Sequence, residues 1–304
     1  MQIQLVSQAA KDRRRYWLDE IVKISGNFGQ DYTRVERELV DEVRKNGVQA
    51  LLDHLRLGGV IPESYGHDTS EEKLYSKYTD ALLAVVFRQI GLKSIVLTER
   101  ADAADVEVFA DGYSFVADAK ASRLTRTAKN QKDFKVQAMD GWRRDKKYAV
   151  VVAPLYQMPP KSSQIYLQAI TRDVCLLSYS HLAVLIQVGV LLGNEAAKQL
   201  LSEVLAVVAL MNPTKDAQSY WSTVNNVFVA FDHKVAELWK QEKRANLESI
   251  ASAKEEGLVF YSQLRSEIMA MSHDEALKEL IHYSKIDSKI RLLTNIADNN
   301  LINL

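Results

Sequence analysis

Apolar residues fall at helical spacing through "TRVERELVDEVRKNGVQALLDHLRLGG", at Val35, Leu39, Val43 and Leu51 to Leu52, and Gly58-Gly59 marks the stop. The loop "IPESYGHD" follows. A second helix is expected from Thr69 to about Ile90, with Leu74, Tyr78, Ala81-Leu82 and Val85-Val86 on its apolar face and Gly91 ending it. Its opening, Thr69-Ser-Glu-Glu72, fits a capping box. Beyond it the period shortens. "KSIVLTE" and "ADVEVFADGYSFVADAK" are rich in β-branched and aromatic residues, and Asp111-Gly112 between two such runs reads as a hairpin turn. "KKYAVVVAPLYQ" is continuously apolar, as a strand buried on both faces should be, and "DVCLLSY" resembles it. Ser180 is the expected cap of a helix through Leu192. From about Asp216 onward only helical periodicity remains, including "SHDEALKELIHYSK", whose Ser272 and Glu275 make another capping box.

Helix, hairpin, and then strands alternating with helices predict an α/β fold with a mixed central sheet flanked by helices. We expect one domain: a helical N-terminal part over 1–68, an α/β core over 69–195 and a helical C-terminal part over 196–304, whose stretch from about Asp216 is a candidate for dimer contacts. No Pro/Gly/Ser-rich linker, internal repeat or low-complexity tract interrupts the chain. Its 304 residues, 47% of them hydrophobic, suffice for a sizeable core. One cysteine, Cys175, excludes an intramolecular disulfide and fits a reducing compartment, with a buried core position favoured over a reactive thiol. The start "MQIQLVSQAAKDRRRYW" lacks the apolar stretch of a signal peptide, and "LAVLIQVGVLLG" is too short to span a bilayer. A soluble, cytoplasmic protein is expected.

Charge changes this picture locally. The formal net charge is zero, yet in "VADAKASRLTRTAKNQKDFK" a strand-like run ends in Asp118-Ala-Lys120 and cations recur every third residue: Arg123, Arg126, Lys129, Lys132 and Lys135. Phosphate contacts depend on where cations sit rather than on their sum. A spacing of three does not hold one helix face, since each step falls about 60° short of a full turn, so a simple solvated stripe is disfavoured. Asn130 and Gln131 within the run can pair bidentately with adenine, and arginine with guanine, so the run is a candidate for reading bases as well as holding phosphates.

Strand side chains alternate, so Asp118 and Lys120 share one face. If Asp111-Gly112 closes the hairpin, Asp105 and Asp118 converge at one end of the sheet. Two carboxylates, with a third from the helix that starts near Thr69, make a hard oxygen site suited to Mg²⁺. A lysine beside them can orient water at a phosphate and offset developing charge. Asp-x-Lys on a strand is weak alone, because a solvated pair at a strand end is commoner. The upstream acid, the acid-bearing helix and the following basic run give it weight together. Ser70-Glu-Glu-Lys73 has the spacing of a penicillin-binding motif without its companions, and a helix start explains it better. The histidines are scattered, with His233 and Glu237 read as helix surface, and neither a Walker nor a dinucleotide glycine motif occurs, so no nucleotide cofactor is expected.

These residues, with "WRRDKKYAV", "AP" and "SQI" after them and "EEKLYSK" before, closely resemble the HindIII-type type II restriction endonucleases of the PD-(D/E)xK superfamily, most densely from about Glu71 to Val190. The resemblance implies the restriction-endonuclease-like core, Mg²⁺-dependent hydrolysis of double-stranded DNA, homodimers cutting a palindrome, and a companion DNA methyltransferase protecting the same site in the cell. It implies Asp105 as the first acid of the motif, Asp118 as the second and Lys120 as its lysine, with Glu72 as an additional acid. Ala104 stands where the family pattern has proline. The near match of the reading run implies AAGCTT, cut after the first A to leave a 5′ overhang. The alternatives left open are a structure-specific repair nuclease on the same core and a DNA-binding protein that does not cut.

Overall fold

The computed structural model describes residues 4–97, 103–126 and 131–295, with the side chains of Gln131 and Lys132 excepted. Three helices lead: α1 (Gln8–Ile21), α2 (Phe28–Leu57) and α3 (Ser70–Gln89). Ser7 caps α1, Asn27 caps α2 and Thr69 caps α3, each side chain accepting a hydrogen bond from a first-turn backbone N–H. The expected apolar positions of α2, Val35, Leu39, Val43, Leu51 and Leu52, are buried, but the helix is broken at Gly47, whose φ of +70° lies in the region that glycine tolerates best.

Five strands form one sheet in the order β1-β2-β3-β4-β5: β1 (Lys93–Val96), β2 (Val106–Ala110), β3 (Tyr113–Ala119), β4 (Tyr148–Ala153) and β5 (Val174–Ser178). The first three pair antiparallel, and β3, β4 and β5 run parallel. The expected hairpin is present, with Ala110 opposite Tyr113 and Gly112 at φ +86°. Every residue of β4 and β5 is buried, as their unbroken apolar runs require.

Parallel pairing needs crossovers, which α4 (Val136–Arg143) and α5 (Gln164–Thr171) supply; they pack together over β3 to β5. Helix α3 packs on β1, β2 and β3 and meets α6 (Tyr179–Leu192), with α2 behind both, so the sheet lies between helical layers. The cap of α6 is Ser178 rather than Ser180, because β5 pairs as far as Ser178 against Ala153 and the helix starts at the next residue. Ser178 shares a capping box with His181, whose Nε2 faces Asn225 at 3.0 Å; burial lowers the His181 pKa to about 4. Cys175 is buried in β5, and burial pushes its thiol up to about 12. Helices α7 (Asn194–Ala209) and α8 (Ala217–Phe231) continue around the core.

The chain divides into two compact units, Met1–Gly257 and Leu258–Leu304. Helix α9 (His233–Ala270) runs through the division, and the second unit also holds α10 (His273–Tyr283) and α11 (Ile286–Thr294). The expected Ser272–Glu275 capping box opens α10. Among the described residues, no helix is long and apolar enough to cross a membrane.

Candidate active site

The site is built by strand parity. Asp118 and Lys120 lie on one face of β3, and the Lys120 N–H donates to the Val152 carbonyl at 2.7 Å, so pairing holds Lys120 in line just past the strand's end. Val106 pairs with Ala117, which sets Asp105, the next residue back, across from Asp118. The Asp105 carbonyl also accepts from Leu97 N–H at 2.8 Å, extending β1's pairing to the same end.

The third acid comes from α3, as expected, but it is Asp80. Oxygens of Asp80, Asp105 and Asp118 lie within 4.8 Å of one another. Asp80 and Asp118 are buried, at 3% and 1% exposure, whereas Asp105 is half-buried. Two lysines attend the acids. Lys120 donates to Asp118, and Lys77 bridges Asp105 at 2.7 Å and Asp80 at 3.2 Å.

Burial raises the pKa of Asp118, the nearby Asp105 charge adds to it, and Lys120 opposes both. Burial, reinforced by Asp105, raises that of Asp80 well above the usual carboxylate range despite Lys77. Burial alone would lower the Lys77 pKa, but Asp80 and Asp105 outweigh it and hold the ammonium charged. The donors are all carboxylate oxygens, a set that fits a hard divalent cation, and two of them are buried acids that further positive charge would stabilise in their ionised form.

Glu72 is not one of the three. It lies two helical turns before Asp80, about 12 Å along the axis, and its carboxylate accepts from Arg123 at 2.8 Å and from the Asp68 N–H at 2.6 Å. Thr69 caps the Glu72 N–H as expected, but the returning bond of the capping box reaches Asp68 instead of Thr69. Arg123 likewise departs from expectation. It is 8% exposed, and besides Glu72 its guanidinium donates to the carbonyls of Tyr65 and Gly66 at 2.8 and 2.7 Å. The guanidinium so occupied faces the protein.

The rest of the basic run is mixed. Arg126 and Lys135 are exposed, with the Lys135 ammonium 5.3 Å from the Trp142 ring. Lys129 and Asn130 lie outside the described residues, and Gln131 and Lys132 belong to a short 3₁₀ turn, Gln131–Phe134, that precedes α4. The described parts of the run therefore bend rather than follow one helix. Asp80 carried a signal in the sequence: it is the lone charge in "YTDALLAVVF", a run otherwise fit for burial.

Carboxylates from a helix and two hairpin strands, with a lysine beside the strand acid, form a cluster that could hold a metal ion, of the kind suited to phosphate-ester chemistry. Comparison with known proteins agrees. Residues 14–297 match the HindIII restriction endonuclease family, and the chain belongs to that family. It is 39% identical over 173 residues to the type II restriction enzyme HindIII of Haemophilus influenzae, an alignment covering 56% of this chain and 58% of that one. The chain thus spans less than two thirds of the length of this relative.

Proposed function

We propose that the protein is a Mg²⁺-dependent type II restriction endonuclease that acts as a homodimer and makes double-strand breaks at a palindromic site, AAGCTT with a 5′ overhang. The observation that carries this reading is the convergence of Asp80, Asp105 and Asp118 beside Lys120 in a chain of the HindIII family. Asp80, Asp105 and Asp118 would hold the ion, which when bound would polarise a phosphoryl oxygen and make water a better nucleophile. Asp118 fixes the Lys120 ammonium on its own strand face, from which it orients the attacking water and offsets charge gathering on the phosphate. Arg126 and Lys135, both exposed, contact the DNA backbone together with Lys129 and Lys132, while Asn130 and Gln131 read base edges.

One site per chain cuts one strand. A two-fold dimer whose halves read the same sequence in opposite directions is the simplest route to a double-strand break. Such an enzyme needs a methyltransferase of the same specificity to protect the cell's own DNA. The test is digestion of plasmid DNA with Mg²⁺ and with chelator, followed by sequencing of the ends. Discrete fragments ending at AAGCTT support the reading. Ends at another hexamer sink the site, single-strand nicks sink the dimer, and intact DNA sinks the endonuclease.

A further inference from the structure

Beyond Lys120 the backbone leaves the sheet and enters the basic run, and its carbonyls there are taken one after another by side chains from distant elements. Tyr179 donates to the Lys120 carbonyl at 3.0 Å and Tyr156 to that of Ser122 at 2.7 Å. The buried Gln157 amide donates to the carbonyls of both Arg123 and Arg126, at 3.1 and 2.7 Å. Ser122 itself forms a parallel bridge to Val60, its N–H donating to the Gly59 carbonyl at 3.1 Å and its carbonyl accepting from the Ile61 N–H at 3.2 Å. Glu63 accepts from both the N–H and the hydroxyl of Thr125. A surface loop seldom has so much of its backbone fixed by side chains.

Arg123 is the centre of this arrangement. Its guanidinium joins Glu72, in the first turn of the helix that also carries Asp80, to the Tyr65 and Gly66 carbonyls of the preceding loop. Three residues earlier on its own strand path is Lys120. The contact therefore ties the helix that supplies one acid to the segment that follows the lysine. Chain direction at Arg123 decides where the residues beyond it meet DNA, and a misplacement of about 1 Å at a reacting centre costs on the order of 100-fold in rate.

We infer that Arg123 is a positioning residue for the endonuclease reaction: its buried guanidinium, latched to Glu72 and backed by Gln157, sets the direction in which the DNA-reading run leaves Lys120 and aligns it with the acid-bearing helix α3. This rests on the endonuclease reading above. It assigns Arg123 to specificity and alignment and removes it from the set of DNA contacts.

The test compares full-length wild type with Arg123→Lys, which keeps the charge and loses the planar fork, and with Gln157→Met, which removes both carbonyl contacts without altering charge. Amide hydrogen exchange of the segment 122–126, measured without DNA or metal, should speed up roughly tenfold or more in both variants while β4 and β5 stay protected. Discrimination between the best-cut site and single-mismatch sites should fall roughly tenfold or more, with the dependence of log affinity on log salt unchanged. A salt slope flattened by about one in Arg123→Lys would make Arg123 a phosphate contact and overturn the assignment. Unchanged exchange, or faster exchange with turnover and discrimination intact, would overturn it as well. If Arg123→Lys does not fold, Gln157→Met carries the same expectations. Wild type that leaves DNA uncut would instead fail the endonuclease reading, and the exchange comparison, needing neither DNA nor metal, tells the two failures apart.

Discussion

Replacing Asp80 with asparagine should raise the melting temperature of the metal-free protein while nearly abolishing DNA cleavage. Asparagine keeps the shape and removes a charge that sits within 4.8 Å of two other carboxylates. At an effective dielectric constant of about 20, each such repulsion is worth about 3 kcal/mol. The attraction to Lys77 at 3.2 Å returns about 5 kcal/mol on the same scale. With burial adding to the repulsion and Lys120 opposing it, the balance is a net destabilisation of about 1–2 kcal/mol, so its removal should lift the Tm of a 304-residue chain by roughly 2–3 °C. The sign has a pH signature. A raised carboxylate pKa means that the folded state holds more protons than the unfolded chain, so wild-type stability without metal falls as pH rises above the ordinary value near 4, and the advantage of the variant should widen. Loss of a cation ligand should cost several kcal/mol of transition-state stabilisation, at least about 100-fold in turnover. Calorimetry with chelator, repeated with Mg²⁺, reads both sides: wild type should gain stability from the ion and the variant little. A variant that melts below wild type yet cuts normally would refute the reasoning and leave Asp80 as a structural partner of Lys77.

Lys120→Ala should lose at least about 100-fold in turnover while keeping DNA affinity within a few fold, as filter binding against cleavage rates would read; near-normal turnover would remove the lysine from the chemistry. Arg126→Ala should flatten the plot of log affinity against log salt by about one and weaken all sequences alike; an unchanged slope would return Arg126 to the solvated surface. Acid stability should reveal His181, whose pKa is lowered by burial to about 4: the folded state resists its protonation, so stability complete above pH 6.5 is lost as pH falls toward 4, by up to about 3 kcal/mol. His181→Gln should abolish that part of the slope in urea titrations between those pH values, and identical slopes would contradict the assignment.

What could be read from the sequence was what local period encodes. Asp118 and Lys120 share a face because strands alternate, and Asp105 returns to them because Asp111-Gly112 closes a two-residue turn. The acid that α3 contributes is Asp80 rather than Glu72: capping-box spacing draws attention to Glu72, whereas the signal of Asp80, a lone charge in a run buried from Tyr78 to Phe87, has no local period that ties it to Asp105 and Asp118. Arg123 was read by charge alone; its burial is decided by Glu72, 51 residues away in the chain, and by the loop before it, which no local pattern reports. Ser178 and Ser180 both suit a helix start, and only the register of β5 against β4 chooses between them.

The hairpin also acts as a counting device. Unbroken pairing runs from Ala110 opposite Tyr113 to Val106 opposite Ala117, so the number of residues between the turn and Asp105 fixes which side of the sheet that acid faces. One residue inserted within β2 would turn Asp105 away from Asp80 and Asp118 while leaving the composition of the site untouched. Two would restore the face but displace the carboxylate by about 7 Å, beyond the reach of a shared ion. Change of length in a descendant of this protein is therefore tolerable at the tip of the hairpin and prohibited along its arms, and sequences that keep every acid but alter that spacing should be inert.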